Sequence, residues 1–357
     1  MSRRVFNPRN PLLSRWLESF EAPLAELEIS EERARSALSE NDSPDLPFRW
    51  SLNPYRGCQH ACAYCYARPT HQYLGLGAGT DFDRRIVVKT NLPELLRAEL
   101  TRPSWCGEPV TISGVTDPYQ PLEARYGLTR RCLEVCLAAD TPVTIVTKGV
   151  VVRRDVELLR ALADGPGVRV FLSIPFLDAE LARTLEPGAS RPEDRLETLE
   201  LLSRAGVPTG LAVAPVVPHL SEPGLAGLIE RAARAGATRA FHVLLRLPAE
   251  VLPVFRERMQ DAMPSRLPAV LAALEEMRAG HLQESRFGAR MRGRGARYEA
   301  FRSLFELLCR KHGLDLSGED DVPRPRQGLL FPADEPGWTG EGPSSTVPRT
   351  HDAPPAT

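Results

Sequence analysis

The stretch NPYRGCQHACAYCYARPTHQYLG, residues 53–75, sets Cys58, Cys62 and Cys65 in the spacing Cys-x3-Cys-x2-Cys among aromatic and basic side chains. Three thiols this close along one loop point to one inorganic centre. A structural zinc site ordinarily takes four ligands, drawn from two short pairs well apart in sequence, and no second pair accompanies this one. His60 and His71 flank the cysteines and are the side chains available to complete a zinc set or to donate protons beside it. A [4Fe–4S] cubane held by three thiolates has one iron left over, open to a substrate or cofactor. Steps of three and then two residues are tight enough for one loop to wrap a face of such a cluster.

Outward from the loop, the 357 residues suffice for one large domain or two modest ones, and 42% hydrophobic with 25% charged residues is an ordinary globular profile. Lys plus Arg is 45 against 46 Asp plus Glu, so the whole-chain field gives no general attraction to nucleic acid or to an acidic membrane. Lysine occurs only at 89, 148 and 311. No run reaches the ~20 apolar residues of a membrane span, and the start MSRRVFNPRNPLLSRW lacks the apolar core of a signal peptide, so a cytoplasmic protein is expected. The remaining cysteines, Cys106, Cys132, Cys136 and Cys309, are scattered and bring the total to an odd seven, which suits reduced thiols rather than a disulfide framework. Cys132 and Cys136 share a helix face with Leu133, Val135 and Leu137 as neighbours and read as buried apolar side chains.

Between residues 84 and 246, β-branched runs alternate with helical patterns: PVTISGV with LTRRCLEVCLAA, TPVTIVTK with VVRRDVELLRALA, VRVFLSI with RPEDRLETLELLSRAG, PTGLAVAPVV with EPGLAGLIERAARAG, and ATRAFHVLLRL with LPVFRERMQDAM. Repetition at roughly thirty residues predicts right-handed βαβ units and a parallel sheet. Ser190 is the expected N-cap of the RPEDRLE helix, and glycine closes the two RAG helices. A doubly wound sheet and a (β/α) barrel both fit the alternation. Polar residues recur just past the strand ends, Thr116 with Asp117, Lys148, Ser173, His219 and Arg246, and that is where barrels bind ligands. The expected organisation is an N-terminal arm over 1–45, a barrel core over 46–280, an Arg-rich and helical extension over 281–315 and a disordered Pro/Gly-rich tail over 316–357.

Cys58, Cys62 and Cys65, with Tyr64 just before the last cysteine, resemble the radical S-adenosylmethionine (SAM) superfamily signature. The wider run together with SGVTDPYQPLE and VTKGVVVRRD resembles its spore photoproduct lyase-like branch over roughly residues 47–313. The resemblance implies a partial (β/α)6 TIM-like barrel, a [4Fe–4S] cluster on the three cysteines, SAM chelated by the open iron, and reductive cleavage of SAM to methionine and a 5′-deoxyadenosyl radical. It also implies an oxygen-sensitive enzyme fed by an electron donor such as flavodoxin or ferredoxin. By the same resemblance Tyr64 lies near the adenine, Thr116 contacts the methionine part, Ser173 lies near the ribose or methionine, and Lys148 pairs with the SAM carboxylate, for which a lysine is a suitable point charge. One position departs from the branch: the lyase has a hydrogen-donating cysteine just ahead of the Ser/Thr-Asp pair, and this chain has Val115, with Cys106 nine residues upstream.

Two more segments bear on function. ESRFGARMRGRGARYEAF, residues 284–301, carries Arg286, Arg290, Arg292, Arg294 and Arg297, with Phe287 and Tyr298 as stacking candidates, so a DNA or RNA substrate is one expectation and a solvated loop the other. DPYQPLE, residues 117–123, either positions substrate or forms a rigid support for the SAM pocket. The rivals from other classes are a zinc-binding nucleic-acid module and an iron–sulfur protein that moves electrons without cleaving SAM. Within the enzyme class, DNA lesion reversal, RNA modification and peptide modification are all open.

Overall fold

The computed structural model describes residues 26–280, 282 and 290–316, so the expected tail from 317 onward and the first 25 residues lie outside the described chain. Its strands are β1 (Glu28–Glu32), β2 (Leu38–Glu40), β3 (Trp50–Leu52), β4 (Tyr55–Arg56), β5 (Arg85–Lys89), β6 (Val110–Ile112), β7 (Val143–Thr147), β8 (Val168–Ser173), β9 (Thr209–Val216), β10 (Arg239–Leu244) and β11 (Asp315–Leu316). The main sheet runs β11-β10-β9-β8-β7-β6-β3-β2. Its pairings from β3 to β11 are parallel, and only β2 on β3 is antiparallel.

That order separates the two architectures the sequence allowed. A doubly wound sheet reverses its strand order at a switch point. Here each barrel strand neighbours the next in sequence without reversal, so right-handed crossovers put their helices on one face and leave the other as an interior. The strand order ends at β2 and β11 without closing, which is the partial (β/α)6 barrel.

Covering helices bury their apolar stripes against the outside of this sheet. Cys132, Leu133, Val135 and Cys136 of the helix Leu128–Ala138 are buried, as are Leu158, Leu159 and Leu162 of Val156–Asp164, each such leucine contributing about 1.5–3 kcal/mol. Gly206 and Gly236, with φ of +84° and +94°, follow their helices in the left-handed turn the RAG motifs predict. Ser190 is not the N-cap; Arg191 occupies that place, and the Ser190 hydroxyl instead accepts the Val150 N–H at 3.2 Å, bridging to the preceding βα turn.

Part of the expected N-terminal arm lies in the sheets. β2 pairs with β3, while β1 joins β5 and β4 in a second, three-stranded sheet beside the cysteine loop. The extension holds the helix Gly295–Lys311 and edge strand β11, with Tyr298, Phe301 and Phe305 packed around His242 of β10.

Candidate active site

The cysteine loop follows β4 and is held by main-chain bonds on both flanks. The Cys58 N–H donates to Phe82 O at 3.0 Å, and Ala63 N–H donates to Leu185 O at 2.8 Å. Gly57 enters the loop at φ +80°, where a Cβ would meet the His71 ring and the Phe82 carbonyl at 2.8 Å, so both conformation and space require glycine. At Gly188 a Cβ would run into the Gln59 carbonyl; its absence lets the 186–189 turn dock on the loop, where Gly188 N–H donates to His60 O at 3.0 Å.

Cys58 and Cys62 are buried and Cys65 is partly so. Burial pushes all three thiols up, reinforced at Cys58 by Asp117 and at Cys62 by Glu186, while Lys148 pulls Cys62 and Arg68 pulls Cys65 the other way. The thiols also raise one another, Cys58 through both others and Cys62 through Cys65. Three desolvated thiols on one loop ionise readily only against a compensating positive centre, which is the chemistry an iron–sulfur core supplies. Each histidine has one ring nitrogen held by the protein. His60 Nδ1 faces Asp117 Oδ2 at 3.2 Å, and His71 Nε2 lies 2.8 Å from Arg85 O. Among the described residues no three His, Cys, Asp or Glu side chains are grouped to hold a single ion, whereas a cubane takes each thiolate at a separate corner.

Thr116 and Asp117 follow β6 at the strand ends. The Thr116 hydroxyl donates to Gly57 O at 2.6 Å and accepts from Gln120 Nε2 at 3.0 Å, so it holds the chain directly ahead of Cys58. Asp117 accepts from Thr147 Oγ1 at 2.6 Å, from Lys148 N–H at 2.7 Å and from Tyr119 N–H at 2.9 Å. Burial alone would raise its carboxyl, but His60, Thr147 and the Lys148 amide together hold it at about 2. Gln120 Oε1 accepts Gln59 N–H at 2.9 Å, and buried Glu123 accepts from Tyr55 Oη at 2.5 Å and Arg154 Nη2 at 2.7 Å. The polar side chains of DPYQPLE are thus held within the protein, Gln120 and Asp117 against the loop, Tyr119 against Asp155, and Glu123 against Tyr55 and Arg154.

Lys148, Ser173 and Tyr64 come together, joined by a carboxylate the sequence reading did not single out. Lys148 Nζ donates to Ser173 Oγ at 2.6 Å and to Ala214 O at 3.0 Å, and it pairs with Glu186 Oε1 at 3.2 Å. The ammonium also lies 5.9 Å from the Tyr64 ring centroid. Glu186 Oε1 accepts the Tyr64 hydroxyl as well, and its Oε2 pairs with Arg195 Nη2 at 2.5 Å. Burial would raise the Glu186 carboxyl, yet Arg195, Lys148 and Tyr64 outweigh it and hold it at about 2. Arg195 further donates from Nη1 to Ser173 O at 2.7 Å, tying the end of β8 to the same cluster. Thr116 stands one link away, through Asp117 and the Lys148 amide.

Val115 donates its N–H to Asn53 Oδ1 at 3.1 Å and packs against the small cluster of Cys58, Ala67 and Phe82, so an apolar group occupies that place. Cys106 is exposed ahead of β6, at the opposite strand end from Thr116. Tyr298 is buried against His242, which removes it as a stacking platform. Arg290 pairs with Asp45 at 2.6 Å, and Arg297 lies between His219 and Glu222, while Arg292 and Arg294 are exposed. Arg286 and Phe287 lie outside the described residues.

The family model described as the radical SAM superfamily matches residues 52–232, just over half of the chain. An uncharacterized protein of Mycobacterium tuberculosis is 45% identical over 207 residues, which are 57% of this chain and 61% of that protein. The chain thus spans under two thirds of that relative's length. A protein of Pseudomonas phage M6 named radical SAM Nalpha-GlyT isomerase is 26% identical over 64% of this chain and 46% of its own. Among solved structures, spore photoproduct lyase complexed with dinucleoside spore photoproduct superposes with a TM-score of 0.61 at 20% identity, covering 81% of both chains, a likeness of fold.

Proposed function

The chain belongs to the radical SAM superfamily, and from that premise we propose that it cleaves SAM reductively and directs the resulting radical at a carbon–hydrogen bond of its substrate. The observation that carries this reading is the meeting, at one end of the parallel strands, of the three-cysteine loop with the Tyr64–Lys148–Ser173–Glu186 cluster. Cys58, Cys62 and Cys65 fit a [4Fe–4S] cluster, which when bound supplies the electron and the open iron for SAM.

The chain's own residues bind and orient. Lys148 brings a positive charge to where a carboxylate is to be held, Ser173 adds a hydroxyl beside it, and the Tyr64 ring offers an apolar face for a purine. Glu186 and Arg195 hold Lys148 and Tyr64 in place. Thr116 and Asp117 fix the loop and the end of β7, so these groups are set before any ligand arrives. A low-potential donor such as flavodoxin or ferredoxin is the partner this chemistry requires.

A nucleic acid is the substrate class we favour, supported by exposed Arg292 and Arg294 and by the dinucleoside photoproduct in the similarly folded lyase. Val115 speaks against that lyase's own hydrogen-return step. Anaerobic reconstitution with iron and sulfide tests the cluster: about four irons per chain are expected. Each of Cys58→Ala, Cys62→Ala and Cys65→Ala should abolish them, and Cys106→Ala, Cys132→Ala and Cys309→Ala should not. A wild-type protein that takes up zinc and stays colourless would overturn the reading.

A further inference from the structure

Arg68 lies within the cysteine stretch, and its surroundings are unusual for an arginine. It is fully buried at 0% exposure, three residues past Cys65, although arginine is almost never buried without dedicated partners. Nε and Nη2 both donate to the Cys62 carbonyl, at 3.0 and 2.8 Å. Nη1 donates to Ala78 O at 3.0 Å and Gly79 O at 2.9 Å, and Nη2 reaches Asp83 Oδ1 at 2.8 Å. All five N–H donors of the guanidinium are thereby used. The plane also lies 5.3 Å from the ring centroid of Phe82, whose own carbonyl receives the Cys58 amide.

We propose that Arg68 is a positioning residue for the cluster: one guanidinium fork clamps the main chain of the middle cysteine, Cys62, to the segment 78–83 that anchors the first, Cys58. The inference rests on the cluster reading above. Its logic is geometric. The Cys-x3-Cys-x2-Cys loop has little regular structure of its own, and cubane ligation requires three sulfurs at fixed corners. The Cys62 carbonyl accepts two N–H groups from a planar, rigid donor, so the Cys62 peptide cannot rotate without breaking both. Lysine carries the same charge and cannot reproduce the fork. Asp83 supplies the counter-charge, so the burial cost of the cation is offset beside the loop rather than by the cluster.

The experiment uses the full chain, anaerobically reconstituted, with iron and sulfide per chain and the electron paramagnetic resonance spectrum of the dithionite-reduced protein, with and without SAM, as readouts. Arg68→Lys should lose at least about threefold of the iron retained after desalting, and the cluster that remains should give a broadened spectrum, as expected where charge-assisted hydrogen bonds are replaced by poorer ones. Asp83→Asn keeps the four carbonyl bonds and is expected to retain wild-type iron while its midpoint potential rises, because the cation is no longer neutralised. It carries the test where Arg68→Lys fails to fold by circular dichroism. Arg68→Lys with wild-type iron and an unchanged spectrum, or a folded Asp83→Asn that loses its iron, would overturn the clamp. Wild-type protein without iron would overturn the cluster reading, and the clamp with it.

Discussion

Replacing Glu186 by glutamine removes one buried negative charge and keeps the volume. In the native protein that carboxylate meets Arg195, Lys148 and the Tyr64 hydroxyl with no exposure of its own side chain, and the Arg195 side chain is 1% exposed. The variant leaves two cations with little access to water and no counter-charge, a situation that costs about 3–5 kcal/mol. Proton linkage gives a second route to the magnitude. A carboxyl held at about 2 in the folded chain against its ordinary 4.5 contributes on the order of 3 kcal/mol at neutral pH. The two routes agree, and at about 2–4 °C per kcal/mol the melting temperature should fall by roughly 6–20 °C. The sign fixes the pH dependence. Because the folded value is depressed, the contribution is full above about pH 4.5 and is lost as pH falls through about 2; since glutamine imitates the protonated acid, the gap between the two proteins should shrink to under about half by pH 3. Thermal melts of apo-protein at pH 7 and pH 3 provide the assay. A Glu186→Gln protein melting within about 2 °C of wild type at pH 7, or a gap that does not narrow in acid, would refute the reasoning.

Lys148→Ala should weaken SAM binding to the reconstituted protein by about 10- to 100-fold, the loss of one charged hydrogen-bond partner, measured by anaerobic equilibrium dialysis; unchanged affinity would remove Lys148 as the carboxylate partner. Replacing exposed Arg292 and Arg294 by serine should weaken binding to single-stranded DNA or RNA and lower the slope of log affinity against log salt by about 1–2. Equal slopes would make that segment ordinary surface.

The barrel was legible because its strands are short apolar runs rich in β-branched residues, which stand out wherever helical stripes separate them; Val143, Ile145 and Val170 belong to that signal and all are fully buried. β1 and β2 gave no such signal. Their sequences EISEE and LSE are mostly charged or polar, as edge strands are, and pairing with β5 and β3 rather than burial makes them strands. In the site, the cysteine spacing is local and so could be read directly. Glu186 could not, since its meeting with Tyr64 spans 122 positions and exists only once the barrel has formed, and Arg195 enters the site only as the partner of Glu186. Two faint signals were present nonetheless. Glu186 puts an acid at the C-terminal end of the helix Ala179–Leu185, where the helix dipole disfavours it, and Arg195 falls on the same apolar face as Leu199 and Leu202. Arg68 was masked by an arginine-rich composition in which no single arginine stands out.

The measurement that bears most directly on the central claim is the appearance of 5′-deoxyadenosine when anaerobic, iron-loaded protein is reduced with dithionite and given SAM. The account predicts 5′-deoxyadenosine and methionine in equal amounts, abolished in Cys62→Ala and strongly reduced in Lys148→Ala. A protein that carries its iron and binds SAM yet releases no 5′-deoxyadenosine, with or without added single-stranded DNA or RNA, would contradict it.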